Sequence, residues 1–214
     1  MSIAFWVILF CQVTGSDNFT AGKLYDTVFV SHSGTSELII EPAMQALVSC
    51  DSAVTVESTA VKINGLGLDN LYKVDEGVYR SEQPESEEFK LLENYGIGEI
   101  LNLRHWHSDK RHVGNTRLIL HRVRMSAHNI SDYDVVKALR IIKNRRHPVL
   151  IHCHHGSDRT GTIVAMYRIV FQNRSKESAI EELKDARFGF HTIYTNIPNY
   201  IKNVDVEKIK KQLE

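Results

Sequence analysis

The sequence predicts an α/β fold of three layers, in which a mainly parallel central sheet is flanked by helices. Two observations lead to this prediction. Short apolar runs typical of buried strands alternate along the chain with segments of helical periodicity, and turn or capping signals separate the two kinds of segment. The chain has 214 residues, of which 43% are hydrophobic, so it is long enough to enclose a sizeable core.

Four segments are predicted to form strands. They are Glu76–Ser81, Gly98–Leu103, Arg117–Met125 and Pro148–His152. The last is β-rich and apolar, which indicates a strand buried on both faces of a sheet. Because helical segments separate the strands, most neighbouring strands are expected to be parallel.

The helical segments carry recognisable ends. Ser86 is expected to cap a helix that stops at Gly96. Ser131 with Asp134 resembles a capping box before a second helix. The apolar face of that helix is formed by Val135, Ala138, Leu139 and Ile142. Further segments of helical pattern cover residues 160–173, 176–186 and 196–213.

The N-terminal part of the chain has a different character. Residues 1–15 contain the apolar run Ile3–Cys11, which is too short to span a bilayer but fits a signal peptide, and Val13–Gly15 fits a cleavage site. This predicts an exported or periplasmic protein. Because no Lys or Arg precedes the run, a buried strand in a cytoplasmic protein is the alternative. Residues 16–65 form a weakly patterned extension, and residues 66–214 form the main domain.

Composition limits the classes of partner and of fold. The 26 basic and 26 acidic residues balance, so general attraction to nucleic acid or to an anionic membrane is not expected. No stable membrane span is predicted, and the chain is expected to be a monomer. Cys11, Cys50 and Cys153 are the three cysteines of the sequence. Because they are few and odd in number, a disulfide scaffold is not expected.

The stretch "VLIHCHHGSDRTG" carries the clearest chemical signal. Cys153 follows an apolar strand, and Arg159 stands five residues beyond it, where a helix begins. Such a loop, with Gly156 inside it, can turn several backbone N–H groups and the positive end of a helix toward one point. This predicts a cradle for a tetrahedral dianion, in which the planar guanidinium of Arg159 binds two oxygens.

The same groups favour the thiolate form of Cys153 over the thiol. A thiolate beneath a bound phosphate can attack phosphorus in line, so the loop predicts a phosphocysteine intermediate that water then hydrolyses, with no cofactor and no metal. Thr160 could hydrogen-bond to the sulfur as it leaves. The predicted substrate-binding residues are His154, His155, Gly156, Ser157 and Thr160.

The loop resembles the HC-x5-R-[ST] signature of cysteine-dependent protein tyrosine and dual-specificity phosphatases. The chain is similar to a bacterial group of compact, dual-specificity-like members, some of them exported, and to fungal and plant atypical members. The matching segments lie in order within residues 66–214 and are "NLYKVDEGVYRSEQP", "ILNLRHWHSD", the loop itself, "AMYRIVFQNRSKESAIEEL" and "GFHTIYTNIPNYIKNVDVEKI". The resemblance implies a tyrosine-phosphatase-like fold and a catalytic domain over these residues.

The resemblance also implies an aspartic acid that protonates the leaving oxygen, usually in a loop before the helix that precedes the signature strand. Here that loop reads "SAHNISD", and its first carboxylate is Asp132, which could simply stabilise the helix start. Asp158, inside the signature loop, is the favoured candidate ahead of Asp132, with His128 behind them. Asp109 is a further candidate, expected at the outer rim.

The sequence leaves alternatives open for a metal site, for a role without catalysis and for the substrate. His152, His154 and His155 surround Cys153 and could hold a metal with His105 and His107, but adjacent residues rarely converge on one ion. A redox-regulated or phosphate-binding module without catalysis is the non-enzyme alternative. The preferred substrate is a protein phosphorylated on tyrosine, with serine and threonine as further targets. Inositol polyphosphates or phosphoinositides are the alternative, although the loop contains no lysine.

Overall fold

The computed structural model describes residues 59–214, which contain a six-stranded sheet. The strands are β1 Val61–Lys62, β2 Tyr72–Asp75, β3 Val78–Ser81, β4 Glu99–Arg104, β5 Ile119–Met125 and β6 Val149–His152. Their order across the sheet is β1-β2-β3-β6-β4-β5. The last strand in sequence therefore lies at the centre, between β3 and β4.

The direction of the strands confirms the predicted fold class. The central pairs β3–β6, β6–β4 and β4–β5 are parallel, whereas β1–β2 and β2–β3 are antiparallel. His152 at the end of β6 is in register with Ser81 on one side and with Asn102 on the other. The carboxyl ends of three strands thus meet at one edge of the sheet, which is where α/β sheets bind ligands.

Six helices of the described residues pack around the sheet. They are α1 Ser86–Tyr95, α2 Asp132–Lys143, α3 Asp158–Gln172, α4 Lys176–Lys184, α5 Asn196–Asn203 and α6 Val206–Leu213. Short 3-10 helices cover Asp109–Arg111 and Ala186–Phe188.

Two helix boundaries correct the sequence prediction. Ser86 is the first residue of α1 rather than its cap: Glu85 is the cap, and it exchanges hydrogen bonds with Glu88 three residues later. Residues 196–213 form two helices instead of one continuous pattern. The chain is extended at Val204, and Asp205 then caps α6 by accepting a hydrogen bond from the Lys208 backbone.

The layers follow from the alternation of side chains along each strand. Val149 and Ile151 of β6 point into the larger core, which is formed with α2 through α6. Leu150 between them points into the opposite core, where Phe89 and Leu92 of α1 cover the sheet. All four residues of β6 are buried, as its apolar sequence predicted.

Some predictions lie outside the described residues. The signal peptide of residues 1–15, most of the extension of residues 16–65, Cys11 and Cys50 belong to the part of the chain that is not described. Within residues 59–214, no helix is long and apolar enough to cross a membrane.

Candidate active site

The predicted loop connects the end of β6 to the start of α3. Cys153 follows β6 directly, is 1% exposed and is a free cysteine. Gly156 has φ +72°, and a Cβ added there would lie 2.5 Å from the backbone carbonyl of Ser81. The loop therefore needs glycine at this position, both for its left-handed conformation and for its close approach to the end of β3.

Three consecutive loop carbonyls are held from outside. The backbone N–H of Gln83 donates to His154 O at 3.0 Å, Asn70 Nδ2 donates to His155 O at 2.9 Å, and Arg80 Nη2 donates to Gly156 O at 2.7 Å. Because C=O and N–H of a trans peptide point in opposite directions, these bonds turn the following N–H groups toward the other side of the loop. That side is the predicted cradle.

Arg80 is the deepest of these supports. It is 1% exposed, and its guanidinium lies 3.9 Å from the centre of the Phe188 ring. Burial lowers the pKa of Arg80 to about 10, although nearby Glu182 opposes this shift. The arginine thus remains a cation at neutral pH and donates a charge-assisted hydrogen bond to the loop.

Asp109 supports the loop from beneath. Its Oδ2 lies 3.0 Å from His152 Nε2, and its Oδ1 accepts hydrogen bonds from Asn102 at 2.9 Å and Gln83 at 3.1 Å. Burial alone would raise the pKa of Asp109, but these hydrogen bonds outweigh it and hold the pKa below its ordinary value. The expected outer-rim position of Asp109 is wrong: the side chain is 4% exposed and positions His152, whose ring precedes Cys153.

Cationic groups gather at the mouth of the loop. Arg159 Nε and Thr160 Oγ1 are buried without a hydrogen-bond partner among the described residues. Arg104, held by Gln83, has its pKa lowered by burial and by the positive charge of Arg159. Burial and the neighbouring charges of His155, Arg104 and Arg159 likewise lower the pKa of His154. Such a concentration of positive charge suits a dianionic ligand.

Of the other residues predicted to bind substrate, the two histidines are exposed whereas Ser157 is buried. The rings of His154 and His155 are exposed and lie 4.3 Å apart between centroids. Ser157 is 3% exposed, and its hydroxyl donates to His155 O at 3.3 Å, so this side chain braces the loop.

Asp158 is the first residue of α3 and is paired with a residue that the sequence analysis did not select. Its Oδ1 accepts a hydrogen bond from the backbone N–H of His191 at 3.0 Å, and its Oδ2 lies 2.9 Å from His191 Nδ1. The imidazole of His191 also lies 5.1 Å from that of His155 between centroids. His191 therefore lies beside the loop, although it is 32 residues further along the chain than Arg159.

The two other candidate acids lie near the start of α2. Asp132 accepts hydrogen bonds from Tyr200 and Lys208, each at 3.0 Å. The bond from Lys208 is the main cause that lowers the pKa of Asp132. His128 is exposed and packs its ring edge-on against Tyr194. Asp132 is therefore tied to the C-terminal helices.

One group within residues 59–214 has the geometry to bind a metal ion. His155, Asp158 and His191 each offer a ligand atom, and these atoms lie within 4.8 Å of one another. The set differs from the histidine cluster considered from the sequence, because His152 is buried against Asp109.

The supporting residues missed by the sequence analysis are Asn70, Arg80, Gln83, Arg104 and His191. Arg104 carried a usable signal, since it is the last residue of β4, a buried strand that is parallel to β6 and so ends at the same edge of the sheet. The others are polar residues in segments without a chemical pattern of their own.

Comparison with known proteins agrees with this geometry. The chain is 30% identical over 143 residues to Dual specificity protein phosphatase TpbA of Pseudomonas aeruginosa strain PAO1, which covers 66% of this chain and 65% of the relative. It is 31% identical over 144 residues to Inositol diphosphatase SIW14 of Saccharomyces cerevisiae, which covers 63% of this chain and 50% of the relative. The match thus spans about two thirds or less of the length of these relatives.

Solved structures give the same picture. TpbA from P. aeruginosa in complex with pTyr superimposes with a TM-score of 0.66 at 27% identity, covering 74% of this chain and 98% of that chain. The core catalytic domain of the PP-IP phosphatase SIW14 from S. cerevisiae has a TM-score of 0.60 at 31% identity, covering 67% and 90%. The family model described as Tyrosine phosphatase family matches residues 66–214. This range contains strands β2 to β6, the Cys153–Arg159 loop and the residues that support it. The chain therefore belongs to the tyrosine phosphatase family.

Proposed function

We propose that the chain hydrolyses phosphate monoesters, phosphotyrosine in proteins first among them, through a phosphocysteine intermediate on Cys153. One observation carries the proposal: three consecutive loop carbonyls, those of His154, His155 and Gly156, are held from outside, while the guanidinium nitrogen Nε of Arg159 has no partner among the described residues. The inward N–H groups and Arg159 then bind the phosphate oxygens above Cys153.

The reaction has two steps. Cys153 Sγ attacks phosphorus, the S–P bond forms, and the ester P–O bond breaks with its electron pair on the leaving oxygen, which takes up a proton. Water then attacks phosphorus, gives up a proton, and the S–P bond breaks to return the thiolate and inorganic phosphate. The loop N–H groups and Arg159 stabilise the charge on the equatorial oxygens in both steps. From the sequence, the candidates for the proton donor are Asp158, then Asp132, then His128, with Asp109 as a further candidate.

Two observations bear on the choice of substrate. TpbA, a relative named as a dual specificity protein phosphatase, has been crystallised in complex with pTyr. Relatives named as inositol diphosphatases are about as similar in sequence, which favours an inositol phosphate as the second candidate. We favour phosphotyrosine because the loop contains no lysine, and a highly phosphorylated ring would need more fixed positive charge than Arg159, Arg104 and the exposed histidines supply.

The experiment is a comparison of turnover on phosphotyrosine peptides and on inositol polyphosphates and pyrophosphates, with Cys153→Ser as the matched variant. We expect kcat/KM to be higher for the peptides and to fall by at least about 10⁴-fold in the variant, since the nucleophile is lost. Phosphate binding should persist. Turnover confined to the inositol compounds would show that the substrate is an inositol phosphate and not a phosphoprotein. Full activity of Cys153→Ser would exclude the phosphocysteine mechanism.

We also propose export of the protein and a monomeric state. Export is supported by the apolar run Ile3–Cys11 alone, and sequencing of the N-terminus of protein recovered from the periplasm or the medium would test it.

A further inference from the structure

The segment after α4 lies between the two parts of the molecule that the reaction uses. His191 binds Asp158 and lies against His155, both in the signature loop. Five residues on, Asn196 Nδ2 donates to Ala127 O at 2.8 Å, and the ring of Tyr194 lies 5.0 Å from that of His128. The segment therefore joins the signature loop to the loop of residues 126–131.

The resemblance places the proton donor in the segment of residues 126–132, where the first carboxylic acid is Asp132, at the start of α2. The candidate carboxylates Asp132 and Asp109 are each bound by other side chains. Asp132 is bound by Tyr200 and Lys208, and Asp109 is buried beneath His152. The pKa of each of these two acids is held below its ordinary value, so neither carries a proton to donate near neutral pH.

Both carboxylate oxygens of Asp158 contact His191. The backbone N–H of His191 fixes Oδ1, and Nδ1 of the ring lies between 2.9 and 3.1 Å from the two oxygens. A carboxylate against Nδ1 holds that nitrogen as a donor and orients the ring, which leaves Nε2 as the nitrogen that can exchange a proton with the reacting groups. The His191 side chain is 45% exposed, whereas that of Asp158 is 9% exposed, so the ring is the accessible member of the pair.

We propose that His191 Nε2 protonates the leaving oxygen when Cys153 attacks phosphorus, and that Asp158 is the positioning residue that holds the imidazole. This inference rests on the proposed function. In the first step the Nε2 proton passes to the leaving oxygen as the P–O bond breaks. In the second step the neutral Nε2 takes a proton from the attacking water, so the histidine returns to its starting state.

The test uses aryl phosphates whose leaving groups range from nitrophenol to phenol, because a good leaving group needs little protonation. The main variant is His191→Asn, whose amide N–H can replace Nδ1–H toward Asp158 while Nε2 is lost. We expect kcat/KM for phenyl phosphate to fall about 10²-fold or more and that for nitrophenyl phosphate to fall far less. The matched control is His112→Asn, an exposed histidine at the end of a 3-10 helix, which should leave both unchanged.

Three further measurements complete the test. Thermal unfolding of each variant separates a folding defect from a catalytic one, and His191→Gln provides a second substitution if His191→Asn does not fold. Equal losses on all aryl phosphates, or no loss, would overturn the proposal. A steeper dependence on the leaving group in Asp158→Asn but not in the His191 variants would make Asp158 itself the acid.

Each assay is run once with EDTA and once with added zinc in place of EDTA, since His155, Asp158 and His191 together could bind a cation. Activity that requires added zinc would also overturn the role of His191 as an acid, because a metal would occupy its ring nitrogen. Failure of the proposed function is distinguishable: wild-type protein would then turn over no aryl phosphate at all, or would do so equally well as Cys153→Ser.

Discussion

Replacement of Gly156 by alanine tests whether the signature loop is held against the end of β3. A Cβ at this position would lie 2.5 Å from both Ser81 C and Ser81 O, and 2.6 Å from Glu82 N. All three are backbone atoms of a chain segment that leads out of the sheet, so no side-chain rotation can relieve the contact. Either the loop or the end of β3 must move.

The expected cost has two parts. Gly156 has φ +72°, and the left-handed conformation costs alanine about 1 kcal/mol relative to glycine. Overpacking against backbone adds about 1–3 kcal/mol. Gly114 separates these parts, because it has φ +56° but nothing within 4 Å of an added Cβ. Gly114→Ala should therefore show the conformational cost alone.

The assay is urea unfolding of both variants, with kcat/KM for an aryl phosphate measured in parallel. We expect Gly156→Ala to lose about 1–3 kcal/mol more of the free energy of unfolding than Gly114→Ala. Displacement of the loop by even about 1 Å should lower kcat/KM by about 10²-fold, whereas Gly114→Ala should retain full activity. Equal stability of the two variants, with wild-type activity in Gly156→Ala, would refute the close packing of the loop on β3.

Two further predictions concern the residues that support the loop. Arg80→Met removes the hydrogen bond to Gly156 O, but it also removes a buried cation whose desolvation is costly. We therefore expect the free energy of unfolding to stay within about 1–2 kcal/mol of wild type, while kcat/KM falls about 10-fold or more. Unchanged kcat/KM would mean that this hydrogen bond does not shape the cradle. The lowered pKa of Asp109 stabilises the fold above the ordinary carboxyl pKa, and this contribution is lost as the pH falls through the lowered value. Asp109→Asn, which weakens the contact to His152, should therefore be less stable than wild type by about 2 kcal/mol near pH 7, with the difference shrinking below about pH 4; a difference that is constant with pH in chemical unfolding would contradict this assignment.

The sequence predicted what is encoded locally. Strands β3 to β6 and the helices of residues 66–214 follow from short-range periodicity, whereas β2 was not predicted. The Cys153–Arg159 loop is a continuous stretch whose flanking strand and helix could be recognised. The break between α5 and α6 was missed because the apolar pattern continues across it, although Asp205 in front of Val206 is a capping signal.

The supports of the loop could not be predicted in the same way. Arg80, Asn70 and His191 reach it only because β6 inserts between β3 and β4 and because the segment after α4 returns to the loop. The order of the strands depends on the packing of the whole domain. The same reason explains Asp109, which was expected at the rim and lies beneath His152.

Catalysis by this protein is proposed to pass through a covalent phosphate on Cys153. Rapid acid quenching of the protein during turnover of an aryl phosphate, followed by mass spectrometry of its peptides, tests this directly. We expect one phosphate on the peptide that contains Cys153, attached to its sulfur, and loss of that adduct in Cys153→Ser. Phosphate found instead on His154, His155 or His191, or turnover with no covalent adduct at any time, would contradict it.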